Sequence, residues 1–128
     1  MSIETDRHAT LVEIFEAFNR HDADAVVARM TEDCVFDTVG GSDVHGTRIQ
    51  GRAVRDAFAA VWAGMPDAHW EVTRHTIAGD RAFSEWTFTG TDRQGMRTEA
   101  EGVDLFTFEG PRVAGKRAFR KQRPSFKA

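Results

Sequence analysis

A chain of 128 residues, 41% hydrophobic and 29% charged, has the size of a single domain over residues 1–128 and enough apolar material for a sizeable core. Its apolar runs are a few residues long, far short of the ~20 that cross a bilayer, and its first residues (MSIETDRH) lack a signal-peptide core, so membrane anchoring and export are not expected. Cys34 is the only cysteine, which excludes an internal disulfide and a four-thiolate zinc site and makes a reducing cytoplasm the expected setting.

The net charge of −3 hides an asymmetry, because residues 112–128 hold seven bases and no acid, while residues 1–111 carry a net charge of −10. The simpler reading of the basic tail is a strand paired beside Glu99, Glu101 and Glu109. A sequence pI near 5.9 lacks the basic signature of a nucleic-acid-binding domain, so that partner is disfavoured.

Residues 5–20 read as a helix, with Leu11, Ile14, Phe15 and Phe18 on one stripe and Thr5 or Asp6 as cap. Asp22 is placed to cap a second helix running to about Thr31. Cys34–Val39 is a β-rich run ended by Gly40-Gly41, with Asp37 on the face of Val35 and Val39. Residues 40–51, with four glycines and His45, read as a rim or lid loop with a short strand near Thr47–Gln50. A third helix, about Arg52–Ala63, presents Val54, Ala57, Phe58, Val61 and Trp62 on one stripe. Four antiparallel strands follow, at 68–78, 81–90, 96–109 and 112–122, separated by turns. Three helices and then a meander predict an α+β fold in which a curved sheet wraps over the helices.

One strand carries the clearest chemical signal. In Thr98–Phe108 strict alternation puts Asp104 on the face of Phe106 and Phe108, where an ionised, unpaired carboxylate costs several kcal/mol. Asp104 is therefore hydrogen-bonded, protonated, or set beside a polar cavity. On the strand at 68–78, alternation puts His69, Glu71, Thr73 and His75 on one face. His69 and His75 then stand roughly 20 Å apart, too far to share a metal ion.

The order of elements and several stretches resemble the nuclear transport factor 2-like superfamily, in particular its SnoaL-like and ketosteroid isomerase-like members. The matching stretches are 19–37 (NRHDADAVVARMTEDCVFD), 49–58 (IQGRAVRDAF), 65–72 (MPDAHWEV), 86–91 (WTFTGT), 102–108 (GVDLFTF) and 116–121 (KRAFRK). The resemblance implies a small α+β cone with a pocket between helices and sheet. It also implies a small apolar or carbonyl-bearing ligand, no metal or organic cofactor, and a homodimer formed through the open sheet face. Such shells host isomerases, polyketide cyclases, dehydratases, epoxide hydrolases and non-catalytic binders, so fold alone does not choose among them.

Carried over residue by residue, and allowing a one-residue gap, the resemblance puts Asp37 at the base position of the isomerases and Asp104 at the oxyanion position. The isomerases' tyrosine has no counterpart: the chain contains none, and Ile14 with Phe15 stands at the matching helix position. Steroid isomerisation is disfavoured on that ground, with the Trp86 indole N–H as a possible substitute donor. Phe15, Phe18, Phe58, Trp62, Trp86, Phe106 and His45 are the implied pocket lining. Epoxide hydrolysis is disfavoured too, because Ala118 stands where the last-strand acid belongs. The reading is thus a cofactor-independent proton-transfer enzyme with Asp37 and Asp104 as catalytic residues. The alternative is a non-catalytic ligand- or partner-binding pocket of the same fold.

Overall fold

The computed structural model describes residues 2–128. Helix α1 (Ile3–Arg20) begins at Ser2, whose hydroxyl accepts from the Thr5 backbone N–H at 3.1 Å, so Ser2 takes the capping role expected of Thr5 or Asp6. Its buried residues include Leu11, Ile14, Phe15 and Phe18, the expected stripe. His21 ends it in the left-handed region at φ 60°, and Asp22 then caps α2 (Ala23–Val27) by accepting from the Ala25 N–H. Helix α2 stops earlier than expected because Met30 already belongs to a strand.

The strands are β1 (Met30–Asp37), β2 (Arg48–Gln50), β3 (His69–Ala78), β4 (Arg81–Thr91), β5 (Met96–Glu109), β6 (Arg112–Gln122) and β7 (Phe126–Lys127), with helix α3 (Ala53–Gly64) between β2 and β3. They form one curved, unclosed sheet in the order β2-β1-β6-β5-β4-β3, with β7 paired to β5. The expected meander β3–β6 is present. All its pairings are antiparallel, whereas β1 joins β6 in parallel and so brings the N-terminal half of the chain into the sheet. The basic β6 lies beside β5, with Glu101 opposite Lys121 and Glu109 opposite Arg112. No helix among the described residues is long and apolar enough to cross a membrane.

The helices cover one face of this sheet. Leu11, Ile14, Phe15 and Phe18 of α1 and Val54, Phe58 and Trp62 of α3 meet Phe36, Trp86, Phe88, Phe106 and Phe108 in one buried cluster. At the β3 edge the Asn19 side chain brackets a backbone residue, donating to the Trp70 carbonyl and accepting the Trp70 N–H, both at 2.9 Å.

Two irregularities decide which side chains face the helices. The β3–β4 register shifts between Val72 and Arg74, so His75 sits opposite Ser84 on the inner face with Trp70 and Val72, while His69 and Glu71 point away. This corrects the expectation that the four polar residues share a face: a bulge inserts one residue and restarts the alternation. The β5–β6 register shifts between Thr107 and Phe108, which sets Asp104 opposite Ala118 and Phe106 opposite Lys116.

Candidate functional site

The inner face of the sheet is apolar except at its centre. Asp104 is 1% exposed and Lys116 is 7% exposed, and Lys116 Nζ stands 3.6 Å from Asp104 Oδ2. Three aromatic rings surround that amine: Phe36 of β1 at 4.3 Å from its centroid, Phe18 of α1 at 5.2 Å and Phe58 of α3 at 5.5 Å. The second carboxylate oxygen, Asp104 Oδ1, is buried without a hydrogen-bond partner, and so is the indole N–H of Trp86. Trp86 is the cross-strand neighbour of Gly102, two residues before Asp104, and a Cβ on Gly102 would run into its ring and stand 2.6 Å from the Phe119 carbonyl oxygen.

Beside Asp104 a second polar run crosses the sheet. Ser84, fully buried and opposite Asp104, meets His75 Nδ1 at 2.7 Å. The His75 ring packs against Phe15 at 5.6 Å and His8 at 5.4 Å, centroid to centroid.

Burial dominates the protonation of these groups. It pushes the Asp104 carboxyl up, against the Lys116 charge and the Trp86 indole, which favour the anion. The same burial pushes the Lys116 amine down against the pull of Asp104. Both shifts favour the neutral acid beside the neutral amine. Burial, then the neighbouring His8, lowers His75 in the same way, toward neutral imidazole.

Asp37 is placed differently. It pairs with Arg117 in the parallel β1–β6 register, and Arg117 lies opposite Leu105, so Asp37 faces the outer side of the sheet, away from Asp104. There Arg48 donates to both its oxygens at 2.8 and 3.0 Å, and Arg117 stands 3.9 Å away. The Arg48 hydrogen bonds, reinforced by the charges of Arg48, His45 and Arg117, hold the Asp37 carboxyl below the usual carboxylate range. Asp37 and Asp104, the two acids expected to share the chemistry, thus stand on opposite faces of the sheet. Phe36 points inward against Phe58 at 5.1 Å, and the one-residue gap allowed in the resemblance is the distance between the two faces.

The aromatic residues expected to line a pocket are all inside, but they pack on one another. Phe15 meets Phe18 and Phe106, and Phe18 meets Phe58 and Trp62, at centroid distances of 5.1 to 6.4 Å. His45 lies in the loop before β2 and lines a small cavity of about 210 Å³ with Asp37, Ala118 and Arg120. A larger groove, about 450 Å³, opens on the outer face among Val35, Asp37, Phe83, Leu105 and Thr107.

Lys116 and Ser84 enter the site without having been singled out from the sequence, whereas His75 was named there among the polar residues of its strand. Counting back from the Glu109–Arg112 turn places Lys116 outward, and only the bulge turns it in. One signal was available: of 17 basic residues only Lys116, Lys121 and Lys127 are lysines.

A carboxyl whose burial disfavours the anion, an amine whose burial disfavours the cation and a buried indole N–H beside them make a group of donors and acceptors able to bind a carbonyl oxygen and move a proton beside it. Among curated proteins none matches the sequence. Among solved structures, Bal32a from a soil-derived mobile gene cassette is similar at 20% identity and TM-score 0.82, over 93% of this chain and 92% of that one. SalBIII, an epoxide hydrolase/cyclase-like enzyme of pyran ring formation in the polyether salinomycin, is similar at 23% identity and TM-score 0.79, over 92% of each chain. A protein with a ketosteroid isomerase-like fold from Catenulispora acidiphila, solved with trimethylamine, is similar at 16% identity and TM-score 0.75, over 86% of this chain and 83% of that one. These likenesses agree with the fold, and the SnoaL-like domain family matches residues 11–116, a span that holds Asp104 and Lys116 alike: the chain belongs to the SnoaL-like family.

Proposed function

We propose that residues 1–128 form one SnoaL-like domain that moves a proton α to the carbonyl of an apolar compound, as in isomerisation, cyclisation or dehydration, without metal or organic cofactor. The observation that carries this reading is that Asp104 Oδ1 and Trp86 Nε1 are buried without hydrogen-bond partners on the inner face that also holds Lys116 and the Ser84–His75 pair. Orphaned polar groups lower stability, and an active site is where such a cost is retained. Protonated Asp104 donates to the carbonyl oxygen, with Trp86 as second donor in place of the absent tyrosine. The proton-accepting role that the resemblance gave to Asp37 passes to the Lys116 amine, because Asp37 is tied to Arg48 on the other face. Phe15, Phe18, Phe58, Trp62 and Phe106 form the apolar walls, and His45 stands on the neighbouring loop. The same reading includes a homodimer through the outer sheet face and a cytoplasmic setting.

The test is deuterium exchange α to the carbonyl of 2-tetralone in deuterium oxide, followed by proton NMR. The wild-type chain accelerates exchange, and Asp104→Asn slows it by about 10²-fold or more, the usual loss for one oxyanion donor. Asp37→Asn leaves it within a few-fold. Equal rates in wild type and Asp104→Asn would sink the mechanism.

The tight packing of Phe15, Phe18, Phe58 and Trp62, each no more than 8% exposed, favours a second reading, a non-catalytic binding domain. Saturable binding of 2-tetralone with no acceleration of exchange selects that one.

A further inference from the structure

We propose that Lys116 is a nucleophilic lysine that forms an imine with an apolar aldehyde or ketone admitted to the interior site, with Asp104 handling the protons. The inference rests on the interior site proposed above and adds a covalent step to it. Three observations carry it.

The first is the choice of residue. Fourteen of the 17 basic residues are arginine, and Lys121 and Lys127 are exposed, so the one basic side chain buried in the core is the type that is able to shed its proton. An arginine there would stay charged at any working pH and would never be a nucleophile.

The second is the geometry of the amine. The carboxylate oxygen faces Nζ at 3.6 Å, longer than the 2.7–3.2 Å of an N–H···O bond, and aromatic rings occupy the other sides. A lysine kept as a structural ion would be expected to have its N–H groups bonded. Desolvation, which pushes this amine down, supports the same reading.

The third is the placement of the acid. Asp104 lies within reach of any oxygen attached to a carbon bonded to Nζ, and its Oδ1 is free of other bonds. Access for the carbonyl compound requires the Phe18 and Phe58 rings, carried by α1 and α3, to part from Phe36 of β1.

The step balances without an oxidant or reductant. The Nζ lone pair forms a C–N bond to the carbonyl carbon as the C=O π pair moves to oxygen, which takes the Asp104 proton. The nitrogen returns one proton to the Asp104 carboxylate. Asp104 then protonates the hydroxyl, the C–O bond breaks, and water leaves. The product is a protonated imine paired with the Asp104 carboxylate, which is placed to act as base toward the α proton.

The test uses the full chain, 3-phenylpropanal and sodium cyanoborohydride at pH 7, with the adduct located by peptide mass spectrometry. Lys116 is labelled at least tenfold faster than Lys121 or Lys127. Lowering the pH from 8 to 7 cuts labelling of Lys121 about tenfold, as for any ordinary lysine, and cuts Lys116 by less. Lys121→Arg/Lys127→Arg, which leaves the core intact, retains one side-chain adduct. Adducts confined to Lys121, Lys127 and the α-amine, or labelling of Lys116 only after unfolding in urea, would overturn the proposal. Asp104-dependent exchange of 2-tetralone with no Lys116 adduct overturns the imine and leaves the proton-transfer reading standing. An adduct without exchange supports the imine and removes that reading.

Discussion

Asp104 and Lys116 oppose each other in an interior that favours neither charge. Their separation of 3.6 Å is too long for a strong charge-assisted bond, and Asp104 Oδ1 gains no partner, so the pair returns little of its desolvation cost. Replacing both with apolar residues, Asp104→Val with Lys116→Met, is expected to leave the chain as stable or more stable by about 1–4 kcal/mol in urea denaturation. A loss of about 3 kcal/mol or more in the double variant would make the pair a structural hub. The inward-facing carboxylate was legible in the sequence, because strict alternation over Thr98–Phe108 leaves Asp104 no other face. The acid paired with it by resemblance was not. Asp37 stands at the end of β1, where Phe36 and Asp37 face opposite ways and a single residue of offset exchanges them.

At the scale of the element, bulges decide what the site contains. Strand boundaries at 81, 96, 109, 112 and 122 follow from the glycine-bearing turns and the alternating patterns, and the structure has β4, β5 and β6 ending within a residue of them. Registers do not follow so simply, since one inserted residue leaves both boundaries in place and reverses every side chain beyond it. The shift at 72–74 in β3 has no glycine or proline to mark it, whereas the β5–β6 shift inserts Ala114 between Val113 and Gly115, and each turns a titratable residue inward: His75 in one case and Lys116 in the other. Strand β5 also carries a packing constraint at Gly102, where the Trp86 ring lies against the backbone. Gly102→Ala forces the ring and the β6 carbonyl apart, and is expected to cost about 1–3 kcal/mol with a change in tryptophan fluorescence. An unchanged urea midpoint would show that the contact relaxes freely.

For the whole molecule, the α+β class and the wrapping of sheet over helices came from the order of periodicities, while the parallel seam of β1 on β6 depends on contacts between residues some eighty positions apart that no local pattern encodes. That seam leaves an outer face with Phe83 and Leu105 exposed at 37% and 36% beside the groove of about 450 Å³, and Phe119 exposed at 44%. A homodimer through this face is expected, and Leu105→Glu should convert it to monomer in sedimentation equilibrium. A wild-type monomer at high concentration would refute the assembly.

The far end of the sheet is organised for the opposite purpose. Strand β3 is terminal, with a backbone edge free to recruit a strand from another molecule. Asn19 occupies both backbone groups of Trp70 from the side, as an incoming strand would, and does so from a helix that cannot propagate the ladder. Asn19 thus closes, at Trp70, an edge through which association by strand addition would have no natural end.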